Sequence, residues 1–238
     1  SIIGYSSMAG FSRELERESD QGGYDRMVQA GYDASGAPEG FARLERELNA
    51  RNVNQGPYFF ASHPRVKERV ETLTELAGES PPSGERNIER YRAVTLPARV
   101  NALEQIHRQG EGKVLVFLLE DEGLLESLPP EVRFYLAEGF RLRSEKARRA
   151  SGDKRSDQEI EAQRAADAAR AVEEYEKTLF EAPGFAPTWQ ALALHCYRTG
   201  DKPRALELFH RYVELEPDPK RNGYARQYID SLSKELAP

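Results

Sequence analysis

Residues 34 apart in the second half of this chain share their chemistry: Pro183 with Pro217, Ala171 with Ala205, and Tyr175 with Phe209. A period of that length suits a repeated pair of helices. One pair is too small to bury its own apolar side, so neighbours must stack to make a continuous core. The residue types agree with such a stack. A small residue lets two helices approach closely, an aromatic fills the space between them, and a proline cannot continue the second helix. The rest of the chain carries little strand signal, so the expected fold class is all-α.

The clearest unit runs from Ala186 to Pro217. There Trp189, Leu192, Gly200, Ala205, Phe209 and Pro217 fall in the order of a bulky residue, an apolar residue, a turn glycine, a small residue, an aromatic and a terminating proline. This pattern resembles the TPR repeat. Trp189, Leu192 and Phe209 are expected to form its core layer. An earlier repeat reads "PEVRFYLAEGFRLR", with Tyr135, Gly139 and Leu142 matching, but Trp189 comes 54 residues after Tyr135. About 20 residues are therefore inserted, near Ala147–Glu161. Gly223–Leu236 reads as the polar capping helix that such arrays need.

In this register Gln190, Leu194, Tyr197 and Arg198 face a groove, as do Arg133, Leu136, Phe140 and Arg143 in the interrupted repeat. Arginines interleaved with aromatics suit an acidic or carboxylate-bearing extended peptide, through bidentate contacts and ring packing. The competing expectation is that this face docks on the N-terminal domain.

The domain plan has residues 1–78 as one domain, 79–90 as a linker, 91–128 as a degenerate helical pair and 129–238 as the repeats. In the first domain, Ser12 is expected to cap a helix that ends near Ala30, with Gly31 as its stop. Pro38 opens a second helix bearing Phe41, Leu44 and Leu48. Ser62 caps a third, whose apolar face is Val66, Val70, Leu73 and Leu76. "ESPPSGERN", Glu79–Asn87, has two prolines, a glycine and no large apolar residue, hence the linker.

"SRELERESD", Ser12–Asp20, resembles the Ser-Arg-x-x-Glu-x-x-Ala-Asp signature of HtpX/BepA-like zinc metallopeptidases, with Ser19 where the family has alanine. "GYD" and "PYFFASHPRVKERVETL" resemble the same family, and the likeness spans about Tyr5–Ala77. The resemblance implies a zinc endopeptidase whose peptidase domain precedes TPR repeats. It casts Glu16 as the third zinc ligand and Asp20, one turn on, as the carboxylate that orients a ligand histidine. It places His63 near the cleft, with Arg65 and Arg69 reaching substrate or cleft carboxylates. It also implies protein or peptide substrates, a quality-control role and a periplasmic or outer-membrane-associated location.

The family's His-Glu-x-x-His helix supplies two ligands and the water base. No such motif occurs here, and the four histidines, His63, His107, His195 and His210, are scattered. The chain is therefore expected to be the C-terminal portion of a longer peptidase, inactive and without zinc by itself. The alternative is a non-catalytic TPR adaptor with a degenerate peptidase remnant. The single cysteine, Cys196, rules out an intrachain disulfide and reads as a small buried hydrophobe. A net charge of −6 gives no reason to expect nucleic-acid binding. The exception is Arg141–Gln158, which is locally basic. It reads as a solvated loop or, alternatively, as a docking surface for an acidic partner or an anionic membrane in peripheral association.

Overall fold

The computed structural model describes residues 2–50, 66–120, 128–146 and 155–237. Ten helices and no strand occur among the described residues, so the chain is all-α. They are α1 (Ile2–Gln29), α2 (Gly36–Ala50), α3 (Val66–Ala77), α4 (Ile88–Arg108), α5 (Gly112–Leu119), α6 (Pro130–Lys146), α7 (Asp157–Glu181), α8 (Ala186–Thr199), α9 (Lys202–Leu215) and α10 (Pro219–Glu235). Two compact units divide at Pro97, inside α4.

In the first unit α2 and α3 pack against one another and α3 also meets α1. Tyr24, Ala34 and Leu73 form its buried centre, with Met27, Val28, Phe41 and Leu76 around them. Helix α1 begins at Ile2, so Ser12 lies within it and does not cap it. Ser62, the expected cap of the third helix, lies outside the described residues. The segment expected to be a linker is tied down. Asp33 N–H donates to the Glu85 carbonyl at 3.3 Å, Ala34 N–H to that of Pro82 at 3.0 Å, and Glu85 N–H to that of Gly31 at 2.8 Å. A short extended strap thus crosses the α1–α2 turn, and its prolines suit this extended conformation.

In the second unit the successive pairs α5–α6, α6–α7, α8–α9 and α9–α10 pack closely. The 34-residue partners occupy equivalent places: Ala171 and Ala205 are fully buried, and so are Tyr175 and Phe209. Helix α7 ends at Glu181 and α9 at Leu215, the same spacing again. Gly200 turns α8 into α9 with φ 90°, a left-handed conformation that a side chain would strain. Asp201 then caps α9, its carboxylate accepting from Arg204 N–H at 3.3 Å. Cys196 is buried, and that burial pushes its thiol pKa up.

Two expectations need correction. Trp189 is only half-buried. Its indole N–H donates to the Pro183 carbonyl at 2.9 Å and the Arg211 guanidinium lies 5.8 Å from its ring. The layer's core members are Leu192 and Phe209, and Trp189 covers its edge. The expected insert also ends earlier than Glu161. Ser156 starts α7 with a capping box: its hydroxyl accepts from Glu159 N–H at 3.2 Å and its own N–H donates to the Glu159 carboxylate at 2.6 Å.

Helices α5 and α6 cross at two glycines. A Cβ on Gly112 would lie 2.7 Å from the Gly139 carbonyl oxygen and 2.9 Å from the Arg143 nitrogen. Backbone cannot retreat as a side-chain tip can, so the helices would have to part. Gly112→Ala should cost about 1–3 kcal/mol, the usual scale of overpacking, despite alanine's better helix propensity. A chemical melt showing equal or greater stability would contradict this crossing.

Candidate functional site

Glu16 and Asp20 sit one turn apart on α1, so both carboxylates leave the same face of that helix. Helix α3 brings Arg69 to meet them. Its Nε donates to Asp20 Oδ2 at 2.9 Å and its Nη2 to Asp20 Oδ1 at 2.5 Å. Its Nη1 reaches Glu16 Oε2 at 3.3 Å. One planar guanidinium thus holds both acids, bidentate to the deeper and singly to the shallower. From α2, the Phe41 ring lies 4.1 Å beneath the guanidinium carbon. Helices α1, α2 and α3 converge on this group.

The burial is graded. Asp20 is 8% exposed, while the side chains of Glu16 and Arg69 are about a quarter exposed. A buried carboxylate costs several kcal/mol of desolvation unless a cation with matching geometry faces it. The fork of Arg69 supplies that geometry. In return the Asp20 hydrogen bond raises the Arg69 pKa, against the effect of its partial burial. In the α1–α2 turn Asp33 accepts from the Ser35 hydroxyl at 2.5 Å and the Ser35 N–H at 3.0 Å, contacts that lower its carboxyl pKa.

The structure therefore brings together Glu16 and Asp20, with Arg69 as their common partner. His63 and Arg65 lie outside the described residues. No group of three histidine, cysteine, aspartate or glutamate side chains among the described residues converges as a metal site. Two carboxylates on one arginine do not by themselves make a zinc site.

The groove residues divide sharply. Arg133 is 3% exposed, donating to Glu174 at 3.1 Å and to Glu181 at 3.3 Å. Phe140 is 1% exposed, and Leu136 is fully buried. Arg143 donates to Asp167 twice, at 2.8 and 2.7 Å. The face of α6 expected to be open is packed against the long helix α7. Gln190, Leu194 and Tyr197 are half-buried and Arg198 is exposed. The basic run is also partly neutralised: Arg141 pairs with Glu138 and Glu145, and Arg143 with Asp167.

One polar centre had no local signal in the sequence. Glu138, 4% exposed on α6, accepts from Arg141 Nε at 3.0 Å and Nη2 at 2.6 Å, and from the Tyr175 hydroxyl. The His107 Nε2 lies 2.5 Å from Glu138 Oε2, the oxygen that Arg141 Nη2 also reaches. Burial works to raise the Glu138 carboxyl pKa, but the bonds from His107, Arg141 and Tyr175 outweigh it and hold the carboxyl at about 2. His107 and Tyr175 lie 31 and 37 residues away in sequence, out of reach of any local pattern.

Comparison with known proteins bears on the first unit. Residues 2–77 match the family model described as peptidase family M48. A curated relative from Vibrio cholerae serotype O1 (strain ATCC 39315 / El Tor Inaba N16961), "Putative beta-barrel assembly-enhancing protease", is 32% identical over 72 residues. Those residues are 30% of this chain and 14% of that protein. No solved structure matches the chain. The match is to a peptidase family and contains Glu16, Asp20 and Arg69.

Proposed function

We propose that this chain works within a zinc-dependent endopeptidase, with the His-Glu-x-x-His helix contributed by sequence outside these 238 residues. In this reading Glu16 gives one carboxylate ligand to the metal. Asp20, held by Arg69, keeps the α1 face in place and orients a ligand histidine. Zinc, when bound, polarises a peptide carbonyl and activates water. The helical pairs of the second unit act as a TPR-like module that recruits a protein substrate or partner. The name of the curated relative favours a periplasmic or outer-membrane-associated setting and a role in protein quality control.

The observation that carries the reading is the geometry of Asp20. A carboxylate 8% exposed, clamped by a bidentate arginine and set one turn from a shallower glutamate, lies inside the stretch that matches a peptidase family. An ordinary solvated helix face does not bury an acid in this way. Asp20→Asn in the whole protein should reduce peptide hydrolysis about 10–100-fold, because outer partners tune a metal site without holding the ion. Activity is read on an unfolded protein substrate, with and without chelator. Chelator-insensitive hydrolysis, or full activity of Asp20→Asn, would remove the basis of the assignment. Absence of hydrolysis in every form is the result a non-catalytic adaptor would give.

A further inference from the structure

The acid pair of the first unit carries a cation of its own. Glu16 and Asp20, four residues apart on one helix, repel each other as like charges. Arg69 offsets that repulsion, but its contacts to them are unequal. Nε and Nη2 lie 2.9 and 2.5 Å from the two Asp20 oxygens, in the parallel fork that suits a carboxylate. Nη1 lies 3.3 Å from Glu16 Oε2, farther than either contact to Asp20. Exposure follows the same order, 7% for the Asp20 side chain and 27% for that of Glu16. A carboxylate in the wetter part of a site gains little from its cation, whereas one as buried as Asp20 depends on it.

Phe41 makes this inequality usable. Its ring lies 4.1 Å from the Arg69 guanidinium carbon, a cation–π contact that involves neither acid. Asp20 and Phe41 together hold the guanidinium, so the Glu16 contact can break without moving it.

We propose that Arg69 is a resident counter-cation for this face: it closes on Glu16 and Asp20 in the metal-free protein, and gives up Glu16, but not Asp20, when the metal binds. Arg69 is thus a positioning residue for Asp20 and a competitor for Glu16. The inference rests on the reading of Glu16 as a zinc ligand, and adds how that site survives empty. Without Arg69 the metal-free face would hold two like charges, one of them buried, and folding would wait on zinc. With it, α1, α2 and α3 assemble first and the metal meets a formed face. Because a partly exposed ion pair is weak, the competition lowers zinc affinity by no more than about fivefold.

The test uses the whole protein, stripped with a chelator and then reloaded with zinc, with the metal counted in each form by elemental analysis. Crystal structures of the two forms read the exchange. In the metal-free form Arg69 should touch both acids. In the zinc form Glu16 should have left Nη1, with both Asp20 contacts still within hydrogen-bond range. Zinc bound while Glu16 stays on Nη1, or while Arg69 is drawn off Asp20, overturns the exchange and leaves the zinc reading standing. A protein that takes up no zinc overturns both.

Melting of the metal-free protein reads the counter-cation. Wild type should melt cooperatively without zinc. Arg69→Gln should melt about 10 °C lower, through the unpaired charge left on Asp20. Adding Asp20→Asn to that variant should recover most of the loss, because the amide pair carries no charge. If Arg69→Gln does not fold, the double variant decides in the same way. An Arg69→Gln protein as stable as wild type without metal overturns the role. So does a double variant that melts no higher than Arg69→Gln or fails to fold, since the loss is then not one of charge.

Discussion

Replacing Glu138 with alanine should lower the stability of the second unit by about 3–5 kcal/mol, the loss typical of breaking a buried charged network. The expectation follows from what would remain. Arg141, with 17% of its side chain exposed, would lose a bidentate partner, and the fully buried Tyr175 hydroxyl would lose its acceptor. His107 would lose the contact that pins the end of α4 to α6. Three helices are joined through one carboxylate. The pH dependence follows from the same geometry. The folded-state pKa of Glu138 lies at about 2, below its ordinary value of 4.5. A depressed carboxyl stabilises the fold fully above the ordinary value, and the contribution is lost as pH falls through the folded value. The difference is worth about 3 kcal/mol. Urea melts of the wild type should therefore weaken between about pH 4.5 and pH 2, and those of Glu138→Ala should do so less steeply. A loss below roughly 1 kcal/mol for the variant at neutral pH would mean that the network is not what joins these helices.

This centre shows where sequence reading stops. The helical class, the stop before Gly31 and the buried pairs at 34 residues were legible, because each rests on local chemistry or on a fixed period. The packing of α6 was not. A groove register assumes a partner helix of ordinary length, and α7 runs 25 residues from the capping box at Ser156. That length carries Asp167, Glu174 and Glu181 along α6, where they engage Arg143 and Arg133. Charged residues at those α6 positions read as solvent-facing when their partners lie 24 to 48 residues away. Trp189 was misplaced for a related reason. Its spacing fits the core layer, but the Pro183 carbonyl draws its indole N–H to the edge.

In the first unit the legible part was the pair Glu16 and Asp20, through motif and helical spacing. The sequence also pointed Arg69 toward cleft carboxylates. It could not show that one guanidinium takes both acids, or that Phe41 lies beneath it, because those contacts depend on how α2 and α3 cross. It likewise could not show that the proline-rich strap closes over the α1–α2 turn.

Glu16→Gln is the second large effect expected. Glutamine keeps the shape of the side chain and leaves the Asp20–Arg69 pair intact, so folding should be little disturbed. What it removes is the negative charge. A neutral amide oxygen is a poor zinc ligand beside a carboxylate, and in the proposed site, where Glu16 would be one of three protein ligands, its loss should cost more than the roughly 100-fold upper range for outer partners. Hydrolysis should fall to background, and the melting midpoint of the metal-free protein should stay close to that of the wild type.

The most direct test is the zinc content of the whole protein after dialysis against buffer, measured by elemental analysis in the wild type and in Glu16→Gln. The account predicts close to one equivalent of zinc in the wild type and far less in the variant, with circular dichroism showing both folded. Stoichiometric zinc retained by a folded Glu16→Gln variant would contradict it.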